Sequence, residues 1–133
     1  MYHIWTMQMA RWRLAKMQDI QILDITAKSG VDAFAPNYHD VMRYKYNEID
    51  EIEYTRIYNE RMAASKVQRP KDWEGLKKHE RVALACYCRP DHFCHRHLFA
   101  PMMKEYLEAQ GLTVSMEGEL MPPAPTPQPE EQT

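Results

Sequence analysis

All three cysteines of the chain, Cys86, Cys88 and Cys94, fall within nine residues, and three of its six histidines, His92, His95 and His97, share that stretch. A thiolate is both a strong nucleophile and a soft metal ligand, and a neighbouring imidazole or guanidinium favours it over the thiol. The run RVALACYCRPDHFCHRHLFAPMMKEYL, Arg81–Leu107, therefore reads as a reactive turn between two regular elements. Three chemistries fit it. Cys94 or Cys86 can act as a nucleophile or redox thiol with His95 or His92 as base. Arg96, with Arg89, can hold an anion at a helix entrance. Cys86, Cys88 and Cys94 can bind zinc with one of His92, His95 or His97, His92 being the first choice. The C-x-C-x5-C-H spacing departs from finger and ribbon spacings, so zinc is the alternative and no cofactor is expected. A phosphatase-type loop needs a cysteine six residues ahead of an arginine, and that position before Arg96 is Pro90.

These side chains need a strand, a turn and a helix to carry them. Arg81–Cys86 is an apolar run of strand length, and alternation along it turns Cys86 and Cys88 to one side and Tyr87 to the other. Beyond Cys94 the pairs Leu98/Phe99, Met102/Met103 and Tyr106/Leu107 repeat at helical spacing, and Gly111 suits a helix stop. Pro101 predicts a late start or a kink in that helix.

Upstream, His3–Gln8 reads as a first strand and Gln21–Ala27 as a second, buried one. Asp24 interrupts the second run. A carboxylate there either caps a loop or pairs with a cation, or it faces a pocket with Lys28 at the strand's carboxyl end, where open α/β sheets bind ligands. Pro36 predicts the start of one helix, and Asp50 with Glu53 caps another that buries Tyr54, Ile57, Tyr58 and Met62 and ends near Ser65. Those tyrosines have the spacing that packing alone requires. Trp73 and Leu76 make one more short turn, and Leu112–Met116 a final strand. The fold class is α/β, a three-layer sandwich with a short, mostly parallel sheet of about four strands and a helical hairpin.

The chain has 133 residues, 44% hydrophobic and 27% charged, the balance of one globular domain. A formal net charge of −2 argues against a protein coated for phosphate, though it leaves room for a local basic patch and nucleic acid. No apolar run is long enough to span a membrane, and the odd, clustered cysteines oppose a disulfide framework, so a cytoplasmic setting is expected. Residues 1–121 form the domain. Residues 122–133, PPAPTPQPEEQT, read as a disordered proline-rich tail with no partner.

The segments LDITAKSG (Leu23–Gly30) and FAP (Phe34–Pro36), the Tyr54/Tyr58 helix, and a strand ending in cysteine followed by Cys94-His95-Arg96 together resemble the YeaO-like family, domain of unknown function 488. The resemblance runs from about Ile4 to Val114. Where that family often carries an acidic residue two positions after the strand cysteine, this chain has Cys88, a variant similar to a group frequent in phage and bacterial genomes. The resemblance implies a compact α/β sandwich and carries no assigned activity. The expected function is a thiol enzyme or ligand processor for an anionic, nucleotide-like or modified-base ligand, using Cys94, Cys86 and His95, with Arg96, Lys28, Asp24 and Arg89 as binding residues. A non-catalytic binding module and a zinc-stabilised structural domain are the alternatives.

Overall fold

A computed structural model describes residues 1–89 and 92–123, so most of the expected tail lies outside the described residues. Four strands, β1 (Tyr2–Gln8), β2 (Gln21–Asp24), β3 (Arg81–Cys86) and β4 (Val114–Glu119), pair in the order β2-β3-β1-β4, and every pairing is parallel. Parallel neighbours require crossover connections, and helices supply them here. In β3, Val82 to Cys86 are all buried, as expected of an inner strand covered on both faces. Opposite Cys86 stands Gln8, and opposite Ala85 stands Asp24, so β1, β2 and β3 end nearly level.

β2 is an edge strand rather than the buried one its composition suggests, and it stops at Asp24 instead of Ala27. The reason is local. The Asp24 carboxylate accepts from the Thr26 amide at 2.9 Å and the Ser29 hydroxyl at 2.7 Å, which folds the chain back into a turn. Gly30 closes that turn with its amide on the Thr26 carbonyl at 3.0 Å.

The sheet is the middle of three layers. One face joins Ile4, Leu23, Val82 and Leu84 to α3 (Glu51–Gln68), α4 (Pro70–Glu74) and α5 (His95–Glu108). The opposite face packs Met7, Ala83 and Ala85 on Ala15 of α1 (Trp12–Met17), with Ile20 and Leu120. α2 (Tyr38–Lys45) buries no residue and leans on α3, making the expected hairpin. Its cap is Asn37, which accepts from the His39 amide at 2.8 Å, so the helix begins after Pro36 rather than at it. Asp50 caps α3 as its spacing predicts, at 2.8 Å from the Glu53 amide.

α3 buries Tyr54, Tyr58, Met62 and Ser65 and continues to Gln68. Its buried hydroxyls are satisfied by the chain that follows β2: Tyr58 donates to the Phe34 carbonyl at 2.7 Å and Ser65 to that of Ala33 at 2.5 Å. The Trp73 indole N–H reaches Ser65 Oγ at 3.1 Å. These bonds tie the β2–α2 connection to the helical layer. α5 passes through the exposed Pro101 without a late start. Proline removes one backbone bond there, and burial of Phe99, Met103 and Leu107 holds the helix against the sheet regardless. Gly111, at φ +82°, ends α5, with the Leu112 amide on the Leu107 carbonyl at 3.2 Å.

The tight turn after β2 carries a testable consequence. A Cβ at Gly30 would lie 2.7 Å from the Asp24 carbonyl oxygen and closer still to the Thr26 backbone. Gly30→Ala should therefore destabilise the fold by about 2 kcal/mol or more. Urea denaturation reads this directly, and an unchanged midpoint would show that the turn is free to relax.

Candidate functional site

A cavity of about 940 Å³ opens at the carboxyl end of the sheet, between the turn after β2, the α2–α3 hairpin and the loop joining β3 to α5. This is where parallel α/β sheets gather their ligands. Cys86 is the last residue of β3, Cys88 follows in the turn, and Cys94 occupies the N-cap of α5. All three line the cavity, and their sulfurs lie within 4.8 Å of one another. The expected alternation stops with β3 at Cys86: Cys88 lies in the turn beyond it, and Tyr87, expected on the other side, also lines the cavity.

The sulfurs of Cys86 and Cys94 touch, yet the Cα atoms stand 7.9 Å apart. Disulfides hold their Cα atoms about 4.4–6.8 Å apart. The backbone thus presents both thiols to one point without the close approach that a relaxed bridge has. Cys94, the N-cap of the 14-residue α5, makes no side-chain capping bond, and its sulfur lies instead against that of Cys86. Burial pushes the Cys88 thiol above its ordinary range, with Arg96 opposing.

His95 lies 2.5 Å from the Ile25 carbonyl through Nε2 and 3.5 Å from Cys94 Sγ through Nδ1. A carbonyl oxygen only accepts, so Nε2 carries the proton and Nδ1 turns its lone pair to the sulfur. Burial pushes this histidine down to about 4, against the smaller opposing effect of the Ile25 hydrogen bond. At neutral pH it is an uncharged base beside Cys94.

Arg96 is fully buried, and all five of its N–H donors are engaged. Nε and Nη2 meet the two carboxylate oxygens of Glu119, each at 3.2 Å. Nη1 donates to Cys86 Sγ at 2.8 Å and to the Cys88 carbonyl at 3.0 Å, and Nη2 reaches the Arg89 carbonyl at 3.3 Å. Thr6 donates to the same carboxylate at 2.6 Å. The sequence suggests that Arg96 holds an anionic ligand; instead it is absent from the cavity wall, its donors already used to shape the thiol turn.

The other expected residues divide. Lys28 and Arg89 line the cavity, Lys28 with its ammonium 5.1 Å from the Tyr38 ring. Asp24 does not line it, because its carboxylate organises the turn after β2. His92 lines the cavity but stands outside the sulfur cluster, 3.3 Å from an Arg89 nitrogen. Sequence reasoning missed Glu119, Thr6 and Phe93. Phe93 forms an aromatic wall with Tyr44 and Tyr54, their ring centres 5.1–5.9 Å apart. Of the two buried tyrosines read as packing, Tyr58 is in the core while Tyr54 lines the cavity. An aromatic directly before Cys94 is the only sequence signal for Phe93.

Residues 11–107 match the family described as the active DUF488-N3 subclade. The chain belongs to the DUF488 family. No curated protein and no solved structure matches it. The DUF488 match covers the thiol turn and α5 up to Leu107, whereas Thr6 and Glu119, which hold Arg96, lie outside it. No helix among the described residues is long and apolar enough to cross a membrane.

Removing one partner of a buried pair leaves an uncompensated charge. Glu119→Ala should destabilise the domain by about 3–5 kcal/mol, and adding Arg96→Met should recover much of that loss. Chemical denaturation of the single and double variants measures both. A single variant as stable as the parent would mean that Arg96 finds other acceptors.

Proposed function

We propose that this DUF488 domain is an enzyme that draws an anionic, ring-bearing ligand, nucleotide-like or carrying a modified base, into the strand-end cavity and processes it at the thiol cluster. The observation that carries the reading is the Cys94–His95 pair: a thiol at a helix amino terminus, faced by the bare nitrogen of a neutral imidazole, on the wall of a cavity large enough for a small molecule. Cys94 is the reacting thiol, the uncharged Nδ1 of His95 orients it by accepting a hydrogen bond, and Cys86 is the second thiol, held by Arg96.

The rest of the cavity suits the ligand class. Lys28 and Arg89 provide positive charge without being locked into buried ion pairs, while Tyr44, Tyr54 and Phe93 offer ring surface for a planar group. Three closely spaced thiols, two of them with backbones wider apart than a disulfide's, fit a reducing, cytoplasmic setting. Arg96 and Asp24 act as positioning residues, the first for the thiol turn and the second for the segment that carries Lys28.

In reduced, metal-free protein, Cys94 should react with iodoacetamide faster than Cys88, and a saturating nucleoside monophosphate should suppress the labelling. Lys28→Ala and Arg89→Ala should each weaken binding of that nucleotide about tenfold by calorimetry, the loss of one charge-assisted contact. Three uniformly slow thiols with no protection would sink the enzyme reading.

A further inference from the structure

We infer that Cys86, Cys88 and Cys94 form a three-thiolate site for a soft divalent metal ion, zinc by preference, whose fourth coordination position opens into the cavity. This rests on reading the cavity as a ligand site; with the ion bound Cys94 is a ligand, and the free-thiol reactivity described above belongs to the metal-free protein. A single nucleophile needs one sulfur, and here three converge within 4.8 Å. Around a tetrahedral zinc with Zn–S bonds of about 2.3 Å, neighbouring sulfurs stand about 3.8 Å apart. The Cys86 and Cys94 sulfurs, in contact here, separate to that spacing on binding the ion, with Cys88 already within reach.

The backbone is arranged for chelation. The ligands hang from three different anchors: a strand end, a turn and a helix N-cap. The 7.9 Å between the Cys86 and Cys94 Cα atoms is too wide for a relaxed disulfide, whereas an ion between the sulfurs spans it with two metal–sulfur bonds. Arg96 donates to Cys86 Sγ at 2.8 Å, the kind of outer hydrogen bond that orients a ligand and spreads its charge.

Among the described residues no fourth ligand atom joins the three sulfurs: His92 stands apart, and His95 Nδ1, though 3.5 Å from Cys94 Sγ, lies outside the group. All three cysteines face the cavity, so the remaining tetrahedral position faces it too. Three protein ligands with one open position mark catalytic zinc sites, whereas structural sites are closed by four. His95 Nδ1 stands 3.5 Å from Cys94 Sγ, beside the cluster.

The test titrates Co²⁺ alone into the full chain, reduced and stripped with chelator. One equivalent should produce a thiolate-to-cobalt charge-transfer band and the visible bands of tetrahedral cobalt, and zinc should displace it. Cys88→Ser should lose affinity by more than the roughly 10–100-fold that removal of an outer-shell partner costs. Nucleoside monophosphate should shift the visible bands, because the fourth position is open. No charge-transfer band from a chain with three free thiols, or a band unaltered in Cys88→Ser, would overturn the site. Nucleotide binding without cobalt binding overturns the metal site and leaves the ligand reading; cobalt binding without nucleotide binding supports the site and overturns that reading.

Discussion

The guanidinium of Arg96 is buried without any exposure, and the carboxyl end of the sheet is arranged around that fact. A charge in such a place is tolerable only when an opposite charge and a full set of acceptors surround it. The acceptors come from distant parts of the chain: Glu119 on β4, the Cys86 sulfur at the end of β3, and the carbonyls of Cys88 and Arg89 in the turn. Two unit charges 4 Å apart attract by about 4 kcal/mol at an effective dielectric near 20, so geometry decides whether burial is offset. Thr6 fixes the carboxylate from β1, and the β1–β4 pairing sets Glu119 opposite it, one residue beyond a bulge between Met116 and Gly118. Strand register and thiol geometry are therefore one constraint.

The same constraint divides the labour of the site. Because Arg96 has no donor left, the positive charge at the cavity wall is that of Lys28, Lys45 and Arg89. Because His95 gives its N–H to the Ile25 carbonyl, the imidazole is oriented by the chain leaving β2 and keeps a free nitrogen for Cys94. That chain is itself placed by the Asp24 turn and by the hydroxyls of Tyr58 and Ser65. Core packing, a polar turn and a reactive thiol are joined through short, satisfied hydrogen bonds, which suits a site that must hold its groups in one geometry.

Much of this was legible in the sequence where the signal is local. The strand Arg81–Cys86, the Asp50 cap, the apolar stripe of α5 and the stop at Gly111 follow from alternation, capping chemistry and helical periodicity, all of which act within a few residues. Reading failed where two local outcomes were equally permitted. Asp24 could cap a turn or face a pocket, and the Thr26 and Ser29 donors made it a cap. Pro101 permits a kink, but burial on both sides of it kept α5 whole.

By itself, the sequence determined the element types along the thiol turn, because alternation in β3 and the apolar stripe of α5 act within a few residues. It also determined that a cysteine would stand at the head of α5. Only the tertiary structure decided that Arg96 is a buried strut rather than an anion holder, that Glu119 and Thr6 support it, and that Phe93 and Tyr54 face the cavity. Those outcomes depend on which strand lies next to β1 and in what register. That choice is made by burial summed over the whole sheet, and no short stretch of chain contains it.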